Sequence, residues 1–376
     1  MTEGPITPDQ GALPISNVRV GTCGWTEKGL IEADSFYPAK KMTAEERLRY
    51  YAAHFPIVEV DSTFYSVPSE QNSLLWLERT PPQFKFNVKA LGLFTQHASI
   101  TKALPVRVRE LMAQPELKKP RVYMRSLSAN ATTVLWDMFR GALTPLAEGG
   151  KLGAVLFQFP PWFTKNRVNV AYLESLRERV PWTVAVEFRG GGWMGSKESA
   201  ASTLKILQRL QFAYVIVDEP QGFPSSTPTV MATTGPLSLV RLHGRNAETW
   251  EKKGLENASE RFNYLYSEKE LSEWGDKTEW LSKESEEVHI LFNNNYRDYH
   301  VRNAESFSRM IKGLRKRGEL QKEKTSVGAL RSEASLSPRS SKPTRRTGSA
   351  RRGRRKSAPD GQLELIPRPD EAADGV

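Results

Sequence analysis

Carboxylates, cations and one imidazole recur at the ends of short β-rich runs: Glu59 and Asp61, Lys89, Gln158, Glu187 and Arg189, Asp218, His243 and Arg245, then Asn293 and Asn294. Such groups, brought together, can do acid–base chemistry on an anionic ligand. Glu187 or Asp61 suits the general base, His243 the acid, and Lys89 with Arg189 the anion grip. Gln158, Asp218, Arg245, Asn293 and Asn294 would add ligand contacts, with Trp25 and Tyr65 as aromatic walls for a ring or a base. Asp61, Glu187, Asp218 and His243 also form an oxygen and nitrogen set of the kind that takes Mg²⁺, Mn²⁺ or Zn²⁺, so a divalent metal is a candidate cofactor. No His-x-x-x-His pair or cysteine cluster fixes its ligand spacing, and Lys89 and Arg189 would compete for the same carboxylates.

These residues need elements to hold them. The run Val58-Glu59-Val60-Asp61-Ser62-Thr63 alternates, so a strand there places Glu59, Asp61 and Thr63 on one side and the valines on the other. Eight such runs are predicted, at 18–24, 58–64, 84–90, 152–159, 184–189, 212–218, 237–243 and 287–293. Helical patterns alternate with them at 43–54, 69–79, 171–179, 197–210, 267–281 and 301–314, which is the signature of parallel βα units. The fold class expected is α/β, a (β/α)₈ TIM barrel, with an insertion after strand 3 containing helices at 103–113 and 132–147. A doubly wound sheet is the alternative, but Gly21-Thr22-Cys23-Gly24-Trp25 lacks its phosphate-loop spacing.

If the valines of each run face the helices, the barrel interior receives Arg19, Cys23, Glu59, Asp61, Lys85, Asn87, Lys89, Gln158, Glu187, Arg189, Asp218, Arg241, His243 and Asn293. Five cations would then meet four carboxylates. Earlier residues lie deeper, so Arg19, Glu59, Lys85 and Arg241 are expected as an ion-pair network in the floor, and the later ones at the C-terminal mouth, ringed also by Phe64, Trp162 and Trp193.

The chain has 376 residues, 39% of them apolar, enough for a sizeable core. One cysteine excludes an internal disulfide. With no leader pattern at the N-terminus and no long apolar run, a cytoplasmic protein without membrane contact is expected. The net charge is +11, but residues 331–360 hold ten Lys/Arg against two Asp/Glu and 361–376 one against four. Residues 1–330 therefore carry only +6. Domain limits follow: a disordered N-terminus at 1–16, the barrel at 17–316, and a disordered basic tail at 317–376 too poor in large apolar residues to build a core. In the tail, Arg345, Arg346, Arg351, Arg352, Arg354, Arg355 and Lys356 can follow a phosphate backbone. Gln362, Leu363, Leu365 and Ile366 resemble the Gln-Leu-x-Leu-Phe motif that docks on the bacterial sliding clamp, with isoleucine in place of the aromatic ring.

Six ordered motifs resemble the YecE-like family, domain of unknown function 72: Gly21-Thr22-Cys23-Gly24-Trp25, Glu59 to Tyr65, Phe157-Gln158-Phe159-Pro160-Pro161, Ala185 to Arg189, Arg241-Leu242-His243-Gly244 and Phe292-Asn293-Asn294. The resemblance spans roughly 18–314 and implies a TIM barrel, with no established reaction attached. Asp61 and Cys23 stand where asparagine and serine are common in that family. Three functions remain open at this point. They are an enzyme, a hydrolase or lyase acting on a sugar phosphate, nucleotide or nucleic-acid end; a nucleic-acid-associated protein without catalysis; and a scaffold without turnover.

Overall fold

The β-branched runs form strands, and the amphipathic segments between them form the helices that cover the strands. A computed structural model describes residues 17–313. Its barrel strands are β1 (Val18–Cys23), β2 (Ile57–Val60), β3 (Lys85–Lys89), β4 (Leu152–Gln158), β5 (Val184–Glu187), β6 (Ala213–Asp218), β7 (Leu237–Leu242) and β8 (Glu287–Phe292). All pair in parallel, and β1 pairs with both β2 and β8, so the sheet closes on itself. This is a (β/α)₈ barrel. The outer strand faces and the helices share one large apolar core containing Val20, Val58, Val60, Phe86, Val88, Val186, Ile216, Val240 and Ile290.

The helix signals fall where capping residues sit. Thr43 and Ser267 each close a capping box, at the helices Ala44–His54 and Glu268–Glu284, and Ser69 caps Glu70–Glu78. The last helix runs from 299 to the end of the described residues at 313.

Two expectations change. The second strand stops at Val60, and Ser62–Phe64 turn into a 3₁₀ segment. Thr63 therefore leaves the strand alternation and donates its hydroxyl to the Val60 and Lys89 carbonyls. In the insertion, the expected helix at 103–113 is broken into a 3₁₀ turn Thr101–Ala103 and one helical turn Val106–Arg109. Pro105 cannot donate to a continuing ladder, so no longer helix crosses it. A two-stranded bridge, Ser99–Ile100 with Arg121–Val122, ties the insertion together, and the expected helix at 132–147 is longer, Ala129–Glu148. The N-terminal 16 residues and the tail, including its arginine clusters and the Gln362 to Ile366 motif, lie outside the described residues.

Candidate functional site at the barrel mouth

The valine rule holds for most strands and fails on β6. There Val215 and Val217 join Ala213, Ala154, Leu156, Ala185, Leu239 and Leu291 in a small apolar layer inside the barrel, while Tyr214 and Ile216 belong to the outer core. Asp218 is consequently turned away from the mouth. Its carboxylate accepts from Arg245 Nε at 3.0 and 3.1 Å, and Arg245 Nη1 also reaches Glu270 at 3.1 Å. The expected ligand roles of Asp218 and Arg245 are corrected to a separate ion cluster beside the Tyr266 ring. By the same alternation the next residue, Glu219, reaches the lumen side. It is buried, pairs with Arg189 Nη1 and accepts from the Thr227 backbone N–H at 2.7 Å. Parity counted through Val215 and Val217 would have found it.

The floor also differs. Arg19 pairs with Glu287 at 2.5 Å and Lys85 donates to the Gly150 carbonyl at the open N-terminal rim. They do not meet Glu59 and Arg241. Above them lie His289 and Asn87, both fully buried and 3.1 Å apart. Gly153 makes room for that pair, since a Cβ there would stand 2.5 Å from Asn87 Oδ1.

Arg241 is the centre of the interior. Fully buried, it donates to Glu59 Oε1 at 2.5 Å, Glu187 Oε2 at 2.6 Å and Gln158 Oε1 at 3.1 Å, and approaches Cys23 Sγ at 3.6 Å. Glu187 continues the chain to Arg189 Nε at 2.8 Å, and Arg189 passes it to Glu219. Acids and bases thus alternate as Glu59, Arg241, Glu187, Arg189 and Glu219. Burial raises the Glu187 carboxyl, but Arg189 and Arg241 outweigh it and hold the group well below the usual carboxylate range. Burial pushes Glu219 up to about 7 despite Arg189. The same burial pushes the Cys23 thiol up, which disfavours a thiolate nucleophile.

His243 sits inside this network. Its Nε2 accepts from Arg189 Nη2 at 3.1 Å and lies 3.4 Å from Glu187, and the Asn293 side-chain amide is 2.8 Å from Nδ1. Burial, then Arg189, lowers its pKa to about 3. The imidazole is therefore neutral; Arg189 can only donate to Nε2, so the proton belongs on Nδ1, and the Asn293 amide, whose nitrogen stands 2.8 Å from Nδ1, must turn over for its oxygen to accept. Both of its nitrogens have neighbours within hydrogen-bond distance and the ring is fully buried, so it has no open face towards the mouth. We expect ¹⁵N shifts of His243 to report the neutral Nδ1–H form down to pH 4.5; a charged ring at pH 6 would overturn the assignment. The unfolded chain takes up that proton near pH 6.5, so His243 withdraws stability as pH falls from about 6.5 towards 3. Glu219 acts in the opposite sense, contributing stability below about 4.5 that is lost as pH rises through 7.

What faces solvent lies on four neighbouring strands, β2 to β5. Asp61 and Lys89 pair at 3.2 Å with side chains 26% and 14% exposed, Gln158 is half-buried, and Arg189 is 11% exposed. Burial raises Asp61, but Lys89 and Arg241 more than offset this and its pKa is lowered. Phe64 packs under Lys89 Nζ at 5.0 Å, and rings continue through His97 to Trp162, with Tyr65 and Trp162 exposed. Trp25 is instead buried edge-on to Trp76, and Trp193 is buried against Phe188. Asn294 ties Tyr264 to Asn303. Neither Trp25, Trp193 nor Asn294 walls the mouth.

The residues proposed for a metal do not gather, because Asp218 faces outward and the Glu187 carboxylate is taken by two guanidinium groups. Among the described residues no three or more His, Cys, Asp or Glu side chains are arranged to hold a metal ion.

A missed pair includes a carboxyl that feels the charge of Asp61. Glu27 follows β1, and its carboxyl is pushed up to about 8 by burial, with the Asp61 charge adding to this. His300, fully buried with neither ring nitrogen hydrogen-bonded, lies 4.0 Å from Glu27 Oε2. Burial lowers His300 to about 4. Glu27 keeps 24% of its side chain exposed. No strand alternation reaches either residue, since Glu27 lies in the loop after β1 and His300 at the start of the last helix.

Among the described residues no helix is long and apolar enough to cross a membrane. The profile described as "Protein of unknown function DUF72" matches residues 19–326. The UPF0759 protein YunF of Bacillus subtilis is 34% identical over 282 residues, covering 74% of this chain and 89% of that protein. A DUF72-family crystal structure from Enterococcus faecalis aligns with TM-score 0.64 at 28% identity, covering 78% of this chain and 95% of that one. Another, from Thermotoga maritima, aligns with TM-score 0.61 at 32% identity, covering 79% and 99%. On the match over most of its length and the shared barrel, the chain belongs to the DUF72 family.

Proposed function

We propose that the protein is an enzyme, a hydrolase or lyase, that binds a small anionic ligand at the barrel mouth, between Lys89 and Arg189. The observation carrying this reading is the arc of Asp61, Lys89, Gln158 and Arg189 on adjacent strand ends, partly open to solvent and backed by the wholly buried Glu59, Arg241 and Glu187. Buried charges cost stability relative to apolar packing, and here the buried Glu187 holds Arg189 while Asp61 holds Lys89 at the open end of the barrel. Asp61 is ionised and serves as base. Glu27 is protonated at neutral pH and serves as acid, two carboxyls pushed to opposite states by their surroundings. In hydrolysis Asp61 takes a proton from the attacking water while Glu27 gives one to the leaving oxygen; solvent returns the proton from Asp61 to Glu27.

The test is calorimetric titration with inorganic phosphate, glucose 6-phosphate and AMP. At least one should bind, and Lys89→Met should weaken it by roughly 10-fold, in line with about 1.5–3 kcal/mol for a charged hydrogen bond. Asp61→Asn should retain the ligand. No binding by any of the three at millimolar concentration, or binding indifferent to Lys89→Met, would remove the proposal.

A further inference from the structure

The insertion between β3 and the helix Ala129–Glu148 carries a charge unlike the rest of the barrel. Residues 91–128 contain seven Lys/Arg and two Glu, a net +5, whereas residues 1–330 together carry +6. The excess is local. Lys102, Arg107, Lys118, Lys119, Arg121 and Arg125 are all exposed. Of the seven cations only Lys119 makes an ion pair among the described residues, with Glu116 three positions earlier.

Their placement is fixed by backbone. The Ile100 and Arg121 bridge, with Thr101 Oγ1 donating to the Lys119 carbonyl at 2.6 Å, holds Lys102, Lys119 and Arg121 around one short ribbon. Large apolar and aromatic groups are exposed beside them. Ile100 and Val106 are more than half exposed, and Tyr123 presents its ring with the Arg125 guanidinium 4.8 Å from its centre. The insertion also adjoins the mouth. It begins two residues after Lys89, and its His97 packs between Phe64 and the exposed Trp162, continuing to the exposed Tyr65. Cations mostly without ion-pair partners, set among exposed aromatic rings, match a phosphate backbone whose bases are free to stack, as in single strands and not in duplexes.

We propose that residues 91–128 form an arm that binds single-stranded nucleic acid, its phosphates on Lys102, Arg107, Arg121 and Arg125 and its bases on Tyr123 and Trp162. The strand runs towards the mouth, and placing a terminal phosphate at Lys89 rests on the reading of the mouth given above. The arm's grip on the strand does not depend on that reading.

The experiment compares the full chain with its Lys102→Gln, Arg107→Gln, Arg121→Gln, Arg125→Gln variant. All four residues are on the surface, and an unchanged melting curve checks the fold. Fluorescence anisotropy with a 3′-labelled 12-nucleotide DNA strand, with and without a 5′-phosphate, is read from 25 to 200 mM NaCl. The C-terminal cations are the same in both proteins, so the difference reports the arm alone. The variant should lose on the order of tenfold in affinity at low salt, and its slope of log K against log salt should fall by about 0.7 for each phosphate contact removed. Equal affinity and slope would overturn the arm. So would binding of a 12-base-pair duplex, or of phosphatidylserine vesicles, as tight as the strand and equally sensitive to the variant. Lys89→Met should abolish only the gain from the 5′-phosphate; if that gain survives, the mouth reading fails while the arm stands.

Discussion

Arg241→Met should lower the free energy of unfolding by about 3–5 kcal/mol, because it leaves two carboxylates inside the barrel with their central cation gone. Glu59 and Glu187 have no exposed side-chain surface, and each takes one terminal nitrogen of Arg241 at 2.5 and 2.6 Å. Methionine fills similar volume, so the loss reports charge and not a cavity. Adding Glu59→Gln and Glu187→Gln to Arg241→Met should recover part of the loss, since neutral amides are cheaper to bury than unpaired charges. Lys85→Gln, at the open rim, should cost less than about 1 kcal/mol. Urea unfolding with unchanged m-values is the measurement. A loss near 1 kcal/mol for Arg241→Met would mean that water reaches the network. Glu187→Gln alone should also be destabilising, because Glu187 shares the layer and the guanidinium with Glu59. The expected split between a stabilising floor and a catalytic mouth does not divide these two residues.

Gly21→Ala should destabilise by at least about 3 kcal/mol, the upper end of ordinary overpacking. A Cβ at Gly21 would stand 2.1 Å from the Ile57 carbonyl oxygen, a backbone atom that a rotamer change cannot move. The contact lies at the seam where β1 meets β2. Their pairing begins only at Thr22 with Val58, and Tyr51 bridges them, receiving the Thr22 N–H and donating to the Ile57 carbonyl at 3.0 Å. Separating the strands breaks that bridge too. Gly141→Ala supplies the opposite sign. Gly141 lies exposed within the helix Ala129–Glu148, and nothing stands within 4 Å of its Cβ position. It should gain about 0.5–1 kcal/mol from helix propensity. If Gly21→Ala matched wild type in thermal and urea unfolding, the close approach at the seam would be wrong.

The barrel was legible in the chain because each element carries its own signal. β-branched runs repeat eight times, caps such as Thr43, Ser69 and Ser267 stand at helix starts, and alternation sorts Glu59, Glu187, Arg241 and His243 from their valine neighbours. Local pattern sets period and length. It does not determine which face of a strand is the inner one when both faces are buried, as both are in a parallel barrel. On β6 valine occurs inside, so Asp218 and Glu219 exchange sides, and one residue of parity moves a charge from the mouth to Arg245. Depth is likewise a property of register between strands. Arg19 comes early in β1 and Arg241 late in β7, and only the staggered pairing shows that the first meets Glu287 at the rim while the second reaches across to Glu59 and Glu187. Residues outside the strands had no alternation to reveal them, whether in a loop like Glu27 or at the start of the last helix like His300. Glu27 and His300 come together because β1 and β8 are neighbours in the closed sheet, a contact spanning most of the described chain that closure alone creates.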